Sequence, residues 1–231
     1  MTAERERLQA RYGALSGREL LEAVLGGEFA GRIAVTSSFG AESAVLLDLV
    51  ASVDRTVPVI FLDTGELFDE TLAYRDLLGR RLGLTNIVVV SPTDDEKAEA
   101  AELWRTDPDR CCQLRKVRPL ARAMAGFDAL VDGRKRAHGF ERADLSAIEV
   151  SGGVVKVSPL WDWPAERIEA AFVAADLPRH PLTAQGYRSI GCWPCTRPTA
   201  EGEPARSGRW AGRGKSECGI HTLTLRDGAG I

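Results

Sequence analysis

The most constraining feature of the sequence is an alternation of short β-branched runs with apolar, helix-like stretches. The runs Arg32 to Ser38, Val57 to Asp63 and Asn86 to Val90 have the length and composition of buried strands. Helix-like stretches at Ala41 to Ser52 and Leu67 to Leu82 separate them. This alternation predicts a mostly parallel sheet flanked by helices, which places the chain in the α/β class.

Further elements extend this pattern in both directions along the chain. Ser16 and Glu19 precede an apolar run in the arrangement of a capping box, which predicts a helix there and two N-terminal helices ahead of the sheet. Ala129 to Gly133 has the composition of another strand, and Ile148 to Val157 that of a β-hairpin that turns at its paired glycines. Pro164 to Ala175 predicts a helix with proline in its first turn.

The domain organisation follows from the length of the chain and from a change of composition near residue 200. A chain of 231 residues suits one domain, and no internal repeat or low-complexity linker divides it. From Ala200 onward, Gly, Arg and Ser are frequent and core-forming residues are few. We therefore expect one α/β domain over residues 1–198 and a flexible C-terminal tail over residues 199–231 that is not an independent domain.

Composition also excludes several classes of function. Hydrophobic residues make up 44% and charged residues 27% of the chain, and no apolar run approaches the ~20 residues that a bilayer requires. The first residues, MTAERERLQARYG, lack the apolar core of a secretory signal, which predicts a cytoplasmic location. A net charge of −3 argues against a nucleic-acid binder. The sequence thus predicts neither a membrane nor a nucleic-acid partner, and it leaves monomer and homo-oligomer open.

Basic residues are concentrated between Arg110 and Arg136. This stretch holds eight basic residues, against Asp128 and Asp132 as its acidic ones. A solvated helix face with scattered charges would give the same pattern as a pocket for a small polyanion. Charge alone leaves both interpretations open.

Two polar turns follow two of the predicted strands. The run Thr36 to Ser43 lies between the first strand and a helix, where backbone N–H groups and the helix dipole favour anions. Ligands of parallel sheets collect outside the carboxyl ends of the strands, so this turn and the one after the second strand should face one crevice. Either turn alone could be a plain tight turn, but the two together favour a nucleotide. The candidate contacts are Ser37, Ser38, Gly40, Asp63, Thr64 and Gly65.

Five cysteines are the remaining chemical signal. In a reducing compartment they should not form a structural disulfide framework, so metal binding or catalysis must be considered. Cys111-Cys112 and the CxxC pair Cys192 and Cys195 offer four thiolates from two segments. Such a set suits either tetrahedral Zn²⁺ or a [4Fe–4S] cluster, and spacing does not decide between them. A redox CxxC pair and buried apolar cysteines are the plainer alternatives, but both leave the paired pattern unexplained.

The cysteine motifs resemble those of bacterial adenylyl-sulfate reductases. CCQLRKVRPL, RSIGCWPCTRP and ECGIH stand in the order and approximate spacing of that family, and SSFGAES, LDTGELFDET and SGRW extend the resemblance over residues 32 to 221. The first loop also resembles the pyrophosphate loop SGGxDS of the adenine-nucleotide hydrolases, with Phe39 replacing a glycine and Glu42 replacing the aspartate. The resemblance implies an adenine-nucleotide alpha hydrolase-like fold of the PP-loop type.

The resemblance also implies roles for individual residues. A [4Fe–4S] cluster would be held by Cys111, Cys112, Cys192 and Cys195. One basic residue of the Arg115–Lys116 pair, with Lys116 preferred, would lie between cluster and substrate. Cys218 of ECGIH would be the catalytic nucleophile with His221 beside it. The thiolate is the attacking species, and Lys215, Arg213 and His221 are cationic neighbours in sequence that would favour it. The implied substrate contacts are Ser37, Ser38, Gly40, Lys116, Lys135, Arg136, Arg206 and Arg209.

The reaction implied by this resemblance is the reduction of adenosine 5′-phosphosulfate to sulfite and AMP in sulfate assimilation. Cys218 would attack the sulfur, and thioredoxin or glutaredoxin would then release sulfite from the S-sulfonated cysteine. A 3′-phosphoadenylyl-sulfate reductase is the nearest rival, but those enzymes commonly lack the four cluster cysteines. A PP-loop tRNA thiolase would need an intact SGGxDS loop, which this sequence lacks. A zinc or redox-sensing module would not explain the ECGIH motif.

Overall fold

A mostly parallel sheet forms the centre of the fold in the computed structural model, which describes residues 2–139 and 142–222. The strands are β1 Ile33–Thr36, β2 Val59–Leu62, β3 Ile87–Val90, β4 Ala129–Val131, β5 Ile148–Ser151 and β6 Val154–Val157. Within the described ranges they form one six-stranded sheet in the order β3-β2-β1-β4-β6-β5. All neighbouring pairs are parallel except the β5–β6 hairpin. The predicted α/β class and the predicted hairpin are confirmed.

Helices precede, connect and follow the strands. They are α1 Thr2–Tyr12, α2 Gly17–Ala23, α3 Ser43–Val53, α4 Asp69–Leu82, α5 Asp94–Glu99, α6 Leu103–Thr106, α7 Pro108–Cys112, α8 Arg118–Ala123 and α9 Ala165–Ala174. A π-helical turn, Val24–Glu28, follows α2, and another, Gln113–Val117, joins α7 to α8. The two predicted N-terminal helices are present. No helix in the described part of the chain has both the length and the apolar character needed to cross a membrane.

The strands β1, β2, β4 and β6 are buried on both faces, because alternate side chains pack against different elements. Val59 and Phe61 of β2 belong to the larger apolar cluster, together with Leu47 of α3. Ile60, which lies between them, belongs to the smaller cluster with Leu120 of α8. Successive side chains of a strand point to opposite faces, so a strand covered on both sides must be apolar at nearly every position. This burial explains the continuous apolar runs of β1 and β2, whereas Val88 and Val89 of the edge strand β3 are exposed.

Helix α2 begins where the sequence predicts, but the predicted capping box does not hold it. Ser16 is the N-cap residue, yet its side chain makes no capping hydrogen bond. The Gly17 N–H donates to the carbonyl oxygen of Pro159 (2.6 Å), so a tertiary contact ties the start of the helix to the domain. A complete capping box is found at α5, where Thr93 and Glu96 exchange hydrogen bonds.

The C-terminal segment, which is described over residues 199–222, contacts the domain at several points. Trp210 is buried, and Thr196 forms an antiparallel bridge with Arg209. The Arg197 N–H donates to the carbonyl oxygen of Gly208 (3.0 Å). Residues 223–231 lie outside the described residues. The mobility of this segment and the domain boundary at residue 198 stay predictions.

A buried histidine joins α4 to the segment that follows α9. His180 is fully buried, and its Nδ1 accepts a hydrogen bond from the Leu182 N–H (3.2 Å). The neutral ring therefore donates from Nε2 to Thr71 Oγ1 (3.1 Å). The ring also packs edge-on against Tyr74, with 4.9 Å between ring centroids. Burial lowers the pKa of His180 to about 4.

We expect His180→Gln to lower the free energy of unfolding more at neutral pH than at acidic pH. The folded-state pKa lies below the unfolded value of 6.5, so the stabilisation by His180 is complete above pH 6.5 and is lost as the pH falls toward 4. The shift corresponds to about 3 kcal/mol. Urea unfolding of both proteins from about pH 7 to about pH 4, followed by circular dichroism, measures the difference. A difference that does not change with pH would contradict the neutral buried ring.

Candidate active site

A cavity, here called the main cavity, opens at the carboxyl ends of β1, β2 and β4. It has a volume of about 220 Å³ available to water-sized molecules. The loops after these strands line it together with the C-terminal segment. Among the residues that the sequence singles out, the cavity is lined by Ser37, Ser38, Gly40, Thr64, Lys116, Lys135, Cys192, Arg206, Arg209, Cys218 and His221. Candidates that are far apart in sequence thus meet where parallel sheets bind their ligands.

The loop after β1 is fixed by its own side chains. The hydroxyl oxygens of Ser37 and Ser43 accept hydrogen bonds from the N–H groups of Phe39 (3.1 Å) and Gly40 (2.8 Å). Phe39 has a φ of 47°, and its buried ring holds this backbone in place by packing edge-on against Phe61 at 5.4 Å. A Cβ on Gly40 would lie 3.2 Å from a neighbouring carbonyl oxygen, which favours glycine there. The shape of the loop is therefore set without a ligand, and two of its N–H groups are already paired.

The turn after β2 faces the cysteines as well as the cavity. The Asp63 carboxylate accepts a hydrogen bond from the Gly65 N–H (3.0 Å), and neither is among the described residues that line the cavity. The buried Thr64 hydroxyl lies 3.3 Å from Cys192 Sγ, and the Thr64 carbonyl accepts from Arg115 Nη1 (2.7 Å). Asp63 and Gly65 thus shape the turn, whereas Thr64 connects the cavity with a cysteine.

Two arginines of the C-terminal segment line the cavity. Arg206 Nη2 donates to the Ser216 carbonyl oxygen (2.7 Å), and burial lowers the pKa of Arg206 to about 10. Arg209 Nη1 donates to the Ile190 carbonyl oxygen (3.3 Å), and its guanidinium lies 4.5 Å from the centroid of the Trp210 ring. The buried Nε of Arg209 has no hydrogen-bond partner among the described residues. A guanidinium carries five N–H groups, so both arginines keep donors for an anion.

The basic pair Lys135 and Arg136 is split by the fold. Lys135 is buried beside the cavity, and its Nζ donates to Glu42 Oε2 (2.6 Å). The Arg136 guanidinium lies 4.4 Å from the centroid of the Trp161 ring, and its Nε donates to the Leu145 carbonyl oxygen (2.7 Å). These contacts hold Arg136 away from the cavity. The structure therefore does not support the predicted substrate contact of Arg136.

Lys116 lies between the main cavity and the cysteines. It lines both the main cavity and a second, smaller one. Burial alone would lower the pKa of Lys116, but electrostatic interactions with Cys192, Cys218 and Cys112 raise it above its ordinary value. Burial would likewise raise the pKa of Cys192, but Lys116 and the Thr64 hydroxyl hold it below its usual value. The ammonium group therefore keeps its charge and favours thiolate at Cys192.

Cys218 is half-buried and faces the main cavity. Of its cationic neighbours in sequence, Lys215 pairs with Asp109 and Arg213 donates to the Trp104 carbonyl oxygen. Burial lowers the pKa of His221 to about 3, so its ring is neutral. Lys116, which is distant in sequence, also interacts electrostatically with Cys218. A cation from the helical segment that carries the first cysteine pair thus acts on Cys218.

A charged network that the sequence analysis missed joins the loop after β1 to Cys218. Glu42 Oε2 lies 3.0 Å from His138 Nε2, and His138 Nδ1 lies 2.9 Å from Arg142 Nη1. Arg142 donates to both carboxylate oxygens of Glu217 (2.6 and 3.0 Å). Burial lowers the pKa of His138, so a neutral ring accepts from Arg142 and donates to Glu42. The only signal in the sequence is that Glu42 and Glu217 stand inside the recognised motifs.

Four cysteines from two segments line the smaller cavity. Cys111 and Cys112 end α7, and the turn Trp193–Cys195 carries Cys195 with Cys192 directly before it. All five cysteines of the chain are free thiols. Burial raises the pKa of Cys112 to about 11. The structure thus brings the four predicted ligands to one place.

The donor set fits a group that takes four soft sulfur ligands. Both tetrahedral Zn²⁺ and a [4Fe–4S] cluster bind four cysteine thiolates. As the side chains stand, no group of three or more His, Cys, Asp or Glu residues within the described ranges is arranged to hold a metal ion. The cysteines therefore fit such a group by their chemistry and their shared cavity, while the ligand geometry itself is not formed.

Asp132 is a buried anion directly after β4. It accepts hydrogen bonds from Arg134 Nε (2.7 Å) and from Ser158 Oγ (2.9 Å). Its Oδ2 lies 3.7 Å from Nδ1 of His221. Burial alone would raise the pKa of Asp132, but the Arg134 guanidinium holds it below its usual value. Asp132 is thus one of two counter-ions of Arg134, the other being Glu149, and it borders the position of His221.

The sequence matches one protein family and several individual relatives over most of its length. Residues 32–198 match the family described as the phosphoadenosine phosphosulfate reductase domain. The chain is 48% identical over 218 residues to an adenosine 5′-phosphosulfate reductase of Chelativorans sp., and the match covers 93% of this chain and 89% of that protein. It is 38% identical over 201 residues to a phosphoadenosine 5′-phosphosulfate reductase of Gloeobacter violaceus, with 84% and 83% covered.

Solved structures are similar in fold. A phosphoadenylyl-sulfate reductase from Candida auris, crystallised as a phosphate complex, has a TM-score of 0.69 at 28% identity and covers 84% of this chain and 96% of its own. Yeast FAD synthetase in complex with FAD has a TM-score of 0.56 at 17% identity, covering 79% of this chain and 66% of its own, a likeness of fold alone. These matches confirm the predicted nucleotide-binding fold of the PP-loop type.

We expect Asp132→Asn to lower the free energy of unfolding by about 2 kcal/mol, because Arg134 would lose the more deeply buried of its two counter-ions and keep Glu149. Glu169→Gln is the matched control, since Glu169 pairs with Arg179 at the exposed surface and should change stability by less than about 1 kcal/mol. Urea unfolding at neutral pH measures both variants. If both variants lower the free energy of unfolding by the same small amount, Asp132 and Arg134 do not form a stabilising buried ion pair.

Proposed function

The chain belongs to the phosphoadenosine phosphosulfate reductase family and is a sulfur-group oxidoreductase, and from this premise we propose that it reduces adenosine 5′-phosphosulfate to sulfite and AMP. The observation that carries the proposal is one cavity at the strand ends in which Cys218 lies with the cations Lys116, Arg206 and Arg209. A nucleophilic thiol beside several cations suits a substrate whose sulfate and phosphate groups are both anionic.

In the proposed reaction the Cys218 thiolate attacks the sulfate sulfur of the bound nucleotide. A bond forms between Cys218 Sγ and that sulfur, the bond from the sulfur to the bridging oxygen breaks, and AMP leaves with the electron pair. Arg206 and Arg209 offer guanidinium N–H groups that stabilise the charge developing on the phosphate. The enzyme is left with an S-sulfonated Cys218.

A protein dithiol, thioredoxin or glutaredoxin, completes the proposed cycle. One of its thiolates attacks Cys218 Sγ, sulfite leaves, and a mixed disulfide with Cys218 remains. The second thiol of the reductant then releases reduced Cys218, so one dithiol is oxidised to a disulfide for each sulfite formed. Such a reductant requires a reducing compartment, which agrees with the predicted cytoplasmic location.

We further propose that the four cysteines of the smaller cavity hold a [4Fe–4S] cluster. The ligands would be Cys111, Cys112, Cys192 and Cys195. When bound, the cluster would tune the electrostatics of the anion site rather than supply electrons. Lys116 borders both cavities and keeps its positive charge between the cysteines and the substrate position.

We expect the anaerobically purified protein to release sulfite when thioredoxin is the reductant. The value of kcat/KM should be at least about tenfold higher for adenosine 5′-phosphosulfate than for its 3′-phosphorylated form. Cys218→Ser should lower sulfite release by about 10⁴-fold or more while the Kd for AMP stays within about twofold, because the hydroxyl cannot replace the thiolate as nucleophile. Glu169→Gln, at the exposed surface, should behave as wild type.

Each result of this assay has a distinct meaning. A preference for the 3′-phosphorylated nucleotide would keep the chemistry and overturn the substrate assignment, and relatives of both names make the comparison necessary. Retained activity in Cys218→Ser would overturn the nucleophile. A protein that is inactive on both nucleotides, even after cluster reconstitution, would leave the zinc or redox-sensing module as the better explanation.

We expect the anaerobically purified protein to contain about four iron atoms and about four acid-labile sulfides per chain and to absorb visible light. Cys192→Ser should lose most of this iron because one of the four thiolate ligands is missing. Cys218→Ser is the matched control and should keep it, since Cys218 is not among the residues that line the cysteine cavity. A colourless protein with about one zinc per chain would overturn the cluster assignment.

A further inference from the structure

The residue before Cys218 is held by two arginines. Glu217 accepts hydrogen bonds from Arg142 Nε to Oε1 (2.6 Å) and from Arg142 Nη2 to Oε2 (3.0 Å). Arg206 Nη2 lies 3.3 Å from the same Oε2. The Arg142 side chain is 10% exposed and that of Glu217 is 18% exposed. Solvent and salt therefore screen this contact, the Arg142–Glu217 clamp, far less than a surface ion pair.

The Arg142–Glu217 clamp fixes direction as well as distance. A guanidinium and a carboxylate joined by two parallel hydrogen bonds keep a planar arrangement that a lysine cannot reproduce. Burial alone would raise the pKa of Glu217, but Arg142 lowers it, so the carboxylate stays ionised at neutral pH. Adjacent Cα atoms are about 3.8 Å apart. Fixing the Glu217 side chain therefore restricts where Cys218 can lie.

The domain anchors Arg142 from its other side. Arg142 Nη1 donates to His138 Nδ1 (2.9 Å), and His138 Nε2 contacts Glu42 Oε2 (3.0 Å). Glu42 is the N-cap residue of α3, the helix that follows β1. The position of Arg142 is thus tied to the element that shapes the predicted phosphate loop, and not to the C-terminal segment alone.

The geometry points to Arg142 as a positioning residue that acts through Glu217 to keep Cys218 facing the cavity. The inference rests on the proposed function, in which Cys218 attacks a bound nucleotide. Lys156 holds the other side of the same segment, because its Nζ donates to the His221 carbonyl oxygen. A nucleophile displaced by about 1 Å loses about 10²-fold in rate. Loss of the clamp should therefore lower kcat and leave substrate binding nearly unchanged.

Two variants separate the charge of the clamp from its geometry. Glu217→Gln keeps the shape and removes the negative charge, whereas Arg142→Lys keeps the positive charge and removes the paired hydrogen bonds. We expect each to lower kcat for sulfite release by about 10²-fold and to change KM by less than about threefold. Glu169→Gln alters an exposed pair with Arg179 and should keep the wild-type kcat and KM.

A double-mutant cycle tests whether Arg142 acts through Glu217. Arg142→Ala should lower kcat by about 10²-fold in the wild-type chain but by less than about twofold in a Glu217→Ala background. Thermal unfolding and AMP binding identify any variant that fails to fold, and the isosteric Glu217→Gln then carries the test. If Arg142→Ala raises KM and lowers kcat as strongly in the Glu217→Ala background as in the wild-type chain, Arg142 contacts the substrate directly. That result would overturn the proposal.

Alkylation of Cys218 gives a readout that does not depend on turnover. Iodoacetamide is added without substrate, and peptide mass spectrometry follows the modification of Cys218. We expect several-fold faster alkylation in Glu217→Gln and Arg142→Lys than in wild type and Glu169→Gln, because the segment opens more often. A wild-type chain that makes no sulfite would overturn the proposed function, and the alkylation rates would still decide on the clamp. Equal alkylation rates in all four proteins would overturn the clamp.

Discussion

Parallel pairing of β1 with β2 on one side and with β4 on the other is the constraint on which the site depends. The register places Val35 opposite both Val59 and Val131, so the three strands end at one edge of the sheet. Because both faces of these strands are covered by apolar packing, polar groups are confined to the loops beyond the strand ends. Residues as distant in sequence as Ser37 and Cys218 can therefore line a single cavity.

The cavity gathers positive groups, and carboxylates of the same chain hold several of them in place. The pairs are Lys135–Glu42, Arg142–Glu217 and Arg134–Asp132. Cations buried together without counter-ions would repel one another and would lose hydration, both at a large cost in free energy. Internal carboxylates offset that cost and fix the directions of the guanidinium groups. Arg209, whose Nε has no hydrogen-bond partner among the described residues, and the charged Lys116 line the cavity and are in place before an anion binds.

Local and periodic features were predictable from the sequence, whereas features that depend on distant partners were not. The strands, the hairpin and the convergence of the two polar turns follow from β-branched runs and strand-end rules. The direction of Arg136 depends on Trp161, and the neutrality of His221 depends on burial, neither of which the motifs reveal. Two contacts of the network from Glu42 to Glu217 join residues that are 96 and 75 positions apart. No periodicity or motif spacing indicates such contacts, so they could not be predicted.

The way in which the C-terminal segment is held agrees with what the proposed cycle demands of it. In that cycle Cys218 first faces a bound nucleotide and then meets a protein dithiol. A segment fixed by a large apolar core would leave the cavity only at a high cost in free energy. Near Cys218, Arg142 and Lys156 of the domain hold this segment by hydrogen bonds and an ion pair, and Ile220 adds a single apolar contact with the smaller cluster. Exchanging a hydrogen bond of a charged group for contacts with water costs about 1.5–3 kcal/mol. The Gly-, Arg- and Ser-rich composition thus suits a segment that a few charged contacts place accurately and that the proposed cycle requires to separate from the cavity.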